Sequence, residues 1–407
     1  MPNLTQLNAL KAALGLGVVI NLPVYAADSV TEAVAQGKAS VNVRLRYEAV
    51  EDDNAATKDA EVATLRTRLG YSTGEFQGFS GHISFEDVRH VLGIEDYSLG
   101  VTGFKSGEFS TIADPEVTEL DTGYLQYTQD TFKARVGAQV IALDNHRFIG
   151  HVGWRQDRQT FDAVMLQQTL QDNISLSYYY IDQRRRIFAE AADQDSKDHL
   201  FHIKAPVGPG DLVAYAYLLE LDNGTNNALD TYGVRYKGKM DGAEMTYLYT
   251  AEFATQTNEL GTTENDADYL FLEGGVKVAD YTFKAGYESL GSDKGNYGFS
   301  TPLSTLHKFN GWADLFLATP AQGLTDFYLS AGTKLGSGNA TVIYHTFEAD
   351  DATATVDDLG SEINLLYTHK FNKHYSAGAK YAAYSADATS GGRVDTDRIW
   401  FWVSANI

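Results

Sequence analysis

From Lys38 onward the chain alternates apolar and polar residues in segments of about ten, divided by turn residues, and after residue 26 it never offers the run of about 20 apolar residues that a membrane helix needs. A period of two sends successive side chains to opposite faces of a strand. Val41, Val43, Leu45 and Tyr47 alternate with Ser40, Asn42, Arg44 and Arg46. Phe132, Ala134, Val136 and Ala138 alternate with Lys133, Arg135, Gly137 and Gln139, and Met245, Tyr247, Tyr249, Ala251 and Phe253 repeat the pattern. One such segment says little, but repetition along the chain points to an all-β fold. A bilayer-spanning protein of this kind must be a closed antiparallel barrel, because every backbone polar group in the hydrocarbon needs an internal partner.

Both ends of the chain agree with a barrel. Residues 10–24 are mostly apolar and too short to span a bilayer, and Val24-Tyr-Ala26 offers small residues for cleavage before Ala27-Asp28. Residues 1–26 read as a secretory signal peptide, and 27–407 as a single outer-membrane barrel domain. The last segment, 395–407, places Ile399, Phe401, Val403, Ala405 and Ile407 on one face and Arg398, Trp400, Trp402, Ser404 and Asn406 on the other. An uncovered apolar strand at a chain end is a liability in water, but it is how a barrel closes.

Connection lengths supply the topology, since barrels of this kind use tight turns at the periplasmic rim and longer loops outside. Tight turns are expected at Gly74 to Gln77, Gln129 to Thr131, Gln171 to Asn173, Gly208 to Asp211, Lys239 to Gly242, Ala279-Asp280, Gly336 to Asn339 and Asn372-Lys373. Longer polar loops are expected at 50–60, 90–117, 142–157, 184–197, 222–229, 255–267, 350–358 and 387–394. Pattern matching yields about nineteen strand candidates, against the even number expected of a bacterial barrel. Treating Gly311 to Leu317 as a strand would put later turns on the wrong side. Residues 291–324 therefore read as one long excursion, leaving about eighteen strands and a lumen wide enough for water. A soluble β-sandwich array or β-solenoid would explain the alternation, but not the leader, the closing strand and the turn asymmetry together.

Composition narrows the chemistry. The 407 residues contain no cysteine, so disulfides, thiolate metal sites and a cysteine nucleophile are excluded. Against 54 acidic side chains stand 32 basic ones, a net charge of −22 that becomes −23 once Lys11 leaves with the leader. That sign argues against nucleic acid. The acidic residues crowd into predicted loops, where they are expected to aid solubility and bridge to outer-membrane lipopolysaccharide through divalent cations. No EF-hand spacing, zinc spacing or dinucleotide fingerprint occurs, so no metal or cofactor is expected.

Basic residues instead recur at inward strand positions: Arg44, Arg46, Arg66, Arg68, Lys133, Arg135, Lys204, Arg235, Lys284, Lys334 and Arg398. Facing lipid at mid-depth, each would cost about 2–4 kcal/mol. Arg44 and Arg46 beside Arg66 and Arg68 would form a ladder able to grip carboxylates through bidentate contacts. The equal alternative is that these cations pair with lumenal Glu86, Glu244, Glu252, Glu288 or Glu362 and merely satisfy a polar interior. The loop at 142–157 is too aromatic and basic for an ordinary exposed loop; folded inward it would present Arg147, Arg155 and the adjoining Arg158. The 291–324 excursion has the same character, with Phe309, Trp312, Leu315 and Phe316 needing burial. Such segments could narrow the pore around a sugar, or only plug and brace the barrel.

These segments also carry a resemblance. Asp144, Arg147-Phe-Ile-Gly150, Trp154-Arg155-Gln156 and Gln159-Thr160-Phe161-Asp162, followed by Phe309-Asn-Gly-Trp312-Ala-Asp314, Gly323-Leu-x-Asp326 and Tyr344-His-x-Phe347, resemble the alginate export family of outer-membrane proteins. The resemblance implies a monomeric eighteen-stranded channel with an arginine-rich lumen, passing an anionic uronate polysaccharide. It also implies that Asp144, Arg147, Trp154, Arg155, Asp162, Trp312 and Asp314 line or brace the constriction. Where the family pattern has a Gly-Arg-Gln triplet, this chain has Gly137-Ala138-Gln139, and it ends on Ile407 where the barrel-assembly machinery usually meets an aromatic residue.

The expected function is thus an outer-membrane channel passively conducting anionic carbohydrate. A general porin for small nutrients is the alternative. A lipid-modifying enzyme is remote: His82, Ser84 and Glu86 share a strand face, but a spacing of two separates them by about 7 Å, too far for a triad.

Overall fold

In the computed structural model, which describes residues 27–407, antiparallel strands join edge to edge into one closed 18-stranded sheet. The expected signal peptide, 1–26, lies outside the described residues. In chain order the wall runs β1 (Lys38–Asp52), β2 (Ala60–Ser72), β3 (Phe79–Asp96), β4 (Val117–Gln129), β5 (Phe132–Gln139), β6 (Thr160–Thr169), β7 (Ser175–Arg185), β8 (Gln194–Val207) and β9 (Gly210–Leu219). It continues through β10 (Asn227–Asp241), β11 (Met245–Leu260), β12 (Thr263–Val278), β13 (Tyr281–Leu290), β14 (Leu324–Leu335), β15 (Gly338–Glu348), β16 (Asp358–Lys370), β17 (Tyr375–Ser385) and β18 (Thr396–Asn406). Each strand pairs with its sequence neighbours, and β18 pairs with β1 from Asn42 opposite Asn406 to Asp52 opposite Thr396. Val41 and Ile407 exchange both backbone hydrogen bonds at 2.9 Å, so the last residue belongs to the seam.

Period-two alternation decides the two faces. On β18, Phe401 and Val403 are about half exposed to the exterior while Trp400 is fully buried within the lumen. On β11, Tyr247 and Phe253 face out while Thr250 and Glu252 are buried. Exposed aromatic residues Phe79, Tyr247, Tyr281 and Phe371 flank the short turns, forming the interfacial girdle of the short-turn rim. At that same rim a short helix, α1 (Val30–Ala35), is capped by the Ser29 hydroxyl, which accepts from Glu32 N–H, while the Glu32 carboxylate accepts from Asp28 N–H at 2.8 Å.

The 291–324 excursion is one connection between β13 and β14, and Gly311 to Leu317 does not span. Three expected loops are shorter than the sequence implied. Residues 255–267 continue β11 and β12 into a hairpin turning at Gly261, whose φ is +65°. Likewise β3 runs on to Asp96 and β10 begins at Asn227. These extensions stand above the lipid, where a strand needs its ladder of hydrogen bonds but no apolar face, so polar composition did not signal a loop there.

Candidate functional site: the pore constriction

An empty barrel of this size would be an open tube, but here the connection after β5 (140–159) and the one after β13 (291–323) fold into it. Phe148, Ile149, Phe299, Leu303, Trp312 and Phe316 from these loops pack on inward wall residues including Tyr215, Tyr217, Tyr269 and Phe347. Burying each large apolar side chain is worth about 1.5–3 kcal/mol, which draws the loops from water into the lumen. The loops also bond to each other. Gly150 N–H donates to the Leu303 carbonyl at 2.8 Å and Thr305 N–H to that of His146 at 3.0 Å. A Cβ at Gly150 would sit 2.3 Å from the Thr305 hydroxyl, so only glycine permits this approach.

Charge fixes the arrangement. Arg155 donates to both Glu48 carboxylate oxygens at 3.0 Å and to Asp314 at 2.7 Å, tying the first loop to β1 and to the second loop. Arg398 approaches both of these carboxylates and Arg46 approaches Glu48, and Arg46 also pairs with Asp114 from the β3–β4 connection. Arg147 bonds Glu288 on β13 at 2.7 Å and Asn310 at 3.1 Å, and its guanidinium lies 4.8 Å over the Phe309 ring. Trp154 stacks on His307 at 5.0 Å, and Lys380 caps the assembly, its Nζ 4.1 Å from the Trp154 ring centre and 3.9 Å from that of Trp312.

Burial pushes the His307 imidazole down to about 3, keeping it neutral. Its Nδ1–H can then donate to Asp314 at 2.7 Å while Nε2 accepts from Lys380 at 2.8 Å. Although burial opposes it, His307 and Arg155 hold the Asp314 carboxyl well below the usual carboxylate range. At the loop's tip, Gly311 adopts φ +84°, so that Trp312 and Ala313 both aim their N–H groups at Glu362 on β16.

The expected arginine ladder is present, with Arg44 directly opposite Arg66 on adjacent strands. Two like charges so placed repel. The first loop supplies acceptors to them: Arg44 donates to the Gln156 side chain at 2.8 Å and to the carbonyls of Gly153 and Trp154 at 3.2 and 3.0 Å, and Arg66 and Arg68 reach the Gln156 carbonyl at 3.4 and 3.2 Å. Arg158 forks onto Asp121 at 2.6 and 2.7 Å, and Asp144 meets His202 at 3.0 Å. Arg147, Trp154, Arg155, Trp312, Asp314, Arg44, Arg46, Arg66 and Arg68 therefore join one network. Asp162 stands apart, paired with Arg185 at 3.0 Å, and Arg135 rests 4.2 Å over Tyr124 and bonds Gln126.

Of the carboxylates expected to answer the lumenal cations, Glu86, Glu252 and Glu288 do so, while Glu244 is exposed beyond the end of β10. Sequence reasoning missed Glu48, Asp114 and Lys380. Glu48 and Lys380 occupy inward strand parity, which was the available signal; Asp114 lies in a connection with no motif. The imagined triad does not assemble, since His82 bonds Ser72 and Thr122.

Open space remains beside the second loop. A cavity of about 290 Å³ is lined by Arg235, Lys237, Lys284 and Lys308, by the carboxylates Glu273, Glu288 and Asp326, and by Phe309 and Trp312, and a second of about 650 Å³ shares Arg235 and Lys237, adds Asp144 and reaches the 208–211 turn. Arg235 and Lys284 are paired with Glu252 and Glu273. Among the described residues, none forms an ion pair with Lys237. Burial, with Lys237, Arg235 and Lys284 nearby, pulls the Lys308 ammonium below its ordinary value.

The alginate export family model matches residues 36–290. No curated protein matches the chain by sequence. Among solved structures, OccAB4 of Acinetobacter baumannii is 14% identical at a TM-score of 0.72, over 91% of this chain and 98% of that one. OccK9 (OpdG) of Pseudomonas aeruginosa is likewise 14% identical at 0.72, covering 92% and 99%, and OpdO of the same species 13% at 0.70, covering 93% and 98%. At such identity these likenesses establish the barrel fold alone, whereas the family match spans more than half the chain. With a closed barrel, inward-folded loops and that match, the chain belongs to the alginate export family and is an outer-membrane β-barrel porin.

Proposed function

We propose that this porin passes anionic carbohydrate by passive diffusion, with uronate oligo- or polysaccharides such as alginate as its solutes, one barrel forming one pore. The observation that carries this reading is the cavity beside the constriction: its carboxylates Glu273 and Glu288 are paired with Lys284 and Arg147 and Asp326 bonds His345, while Lys237 has no ion-pair partner among the described residues and stands near Lys308 and Phe309. A uronate ring offers what that surface fits: a carboxylate for the ammonium groups and a CH face for the aromatic ring. In this reading Arg147, Trp154, Arg155, Trp312 and Asp314 set the aperture by holding the loops. Asp144 lines the larger cavity, and in the same reading Arg158, Arg68, Arg135 and Asp162 belong to the path of the solute.

The specific reason to keep a general small-nutrient porin as the second reading is that Arg44, Arg46, Arg66, Arg147 and Arg155 spend their donors on loop carbonyls and carboxylates. Single-channel recording in planar bilayers separates the two. Anion-selective reversal potentials with concentration-dependent block by uronate oligosaccharides are expected, and Lys237→Gln should weaken block by roughly tenfold, the equivalent of one charge-assisted hydrogen bond of about 1.5 kcal/mol. Cation preference without uronate block would favour the general porin.

A further inference from the structure

A second cluster of charge lies where the first loop meets the β3–β4 wall, joined to the constriction network through the Arg68–Glu86 pair. Glu86 and Glu119 stand directly opposite each other on β3 and β4, a cross-strand pair of like charges. The loop brings Asp157 to the same place, so that an oxygen from each of the three carboxylates lies within 4.8 Å of the other two. Glu86 and Asp157 are 1% and 0% exposed, and each keeps one carboxylate oxygen, Glu86 Oε1 and Asp157 Oδ1, buried without a hydrogen-bond partner.

The surrounding cations do not resolve this. Arg68 pairs with Glu86, Arg158 is occupied by Asp121, and Arg185 by Asp162. Among the described residues, no Lys, Arg or His forms an ion pair with Glu119 or Asp157; the Asp157 Oδ2 atom accepts only the Ala189 N–H at 3.2 Å. Three carboxylates against one guanidinium leave two negative charges in a buried place. Burying unpaired charge is costly enough that such a group recruits a cation or a proton.

We propose that Glu86, Glu119 and Asp157 form a calcium site that pins the constriction loop to the barrel wall. The ligand set is oxygen only, which suits a hard cation rather than zinc or copper. Calcium–oxygen distances of about 2.3–2.6 Å let ligands on opposite sides of one ion stand about 5 Å apart, and calcium tolerates carboxylates arriving from three separate elements, with water completing six to eight ligands. Magnesium, smaller and strictly octahedral, fits this divergent set less well. The ion would balance the two excess charges and replace repulsion between Asp157 and the wall with a bridge. Losing it would loosen the 155–159 arm of the loop and make the aperture fluctuate.

The test uses the full-length barrel, refolded free of lipopolysaccharide, stripped with EDTA and titrated with calcium by calorimetry. One high-affinity calcium per barrel is expected, with Asp157→Asn and Glu119→Gln each weakening it at least tenfold. Asp59→Asn, an exposed loop acid, should change nothing. Heat-modifiable migration in SDS gels verifies that each variant is folded; should one variant fail, the other and the wild-type stoichiometry still decide. In bilayers, EDTA should add subconductance flicker to the wild type and leave Asp157→Asn unaltered. Absence of stoichiometric uptake by the folded wild type, uptake unchanged in the folded variants, or preference for magnesium over calcium would each overturn the assignment.

Discussion

Arg155 ties the first inward loop both to β1 and to the second loop, because the buried carboxylates of Glu48 and Asp314 each accept from its guanidinium. Arg155→Ala takes from buried Glu48 and Asp314 the guanidinium they share, leaving Arg46, Arg398 and His307 beside them; removing one partner of a buried pair typically costs about 3–5 kcal/mol, and these remaining donors make the lower end the expectation. The barrel wall should survive while the loop detaches, so single-channel conductance is expected to rise with the heat-modifiability of the protein unchanged. At Gly311 the constraint is backbone: φ is +84°, and a Cβ would stand 2.2 Å from the Glu362 carboxylate. Gly311→Ala should cost about 1–3 kcal/mol locally, read as faster proteolytic cleavage within 291–323. The family motif singled out Arg155. Glu48 was not legible in the sequence, because a lone inward glutamate carries no pattern until its partner, 107 residues away, is placed beside it.

The two loops act as one element, hinged on groups that titrate. His307 has its proton affinity lowered by burial, to about 3 against an ordinary 6.5, so the folded loop favours the neutral ring. Stabilisation from that ring is complete above about pH 6.5 and is lost progressively as pH falls towards 3. Asp314, depressed, adds stability above the ordinary carboxylate range that also fades as acid protonates it. Both signs agree: acid loosens the plug. Channel recordings are expected to be quiet at pH 7 and to flicker increasingly between pH 6 and 4, and His307→Gln, which cannot titrate, should flatten the change across the upper part of that window. The aromatic content of the two loops showed that these segments need burial, but not that they fold into the lumen. Nor did it show which wall they would reach, since that depends on Arg44 facing Arg66, a like-charge register contact that loop carbonyls relieve.

At the scale of the whole molecule, alternation keeps lipid outside and charge within, and the seam between β1 and β18 makes the sheet edgeless. Phe401 lies mid-strand on the lipid face, so Phe401→Arg should destabilise the barrel in lipid by about 2–4 kcal/mol, measured as a lower urea midpoint in vesicles. The period of two, the turn spacing and the inward parity of arginines were enough to specify the barrel, its closing strand and the long 291–323 connection, because each is a local or repeating property of the chain. Only the tertiary structure decided that the lumenal arginines hold loops rather than standing free, that Lys237 lacks an ion-pair partner among the described residues, and that Glu86, Glu119 and Asp157 meet. Those outcomes depend on which residues distant in sequence become neighbours. Charge pairing depends on distance in space, and no periodicity along the chain encodes it.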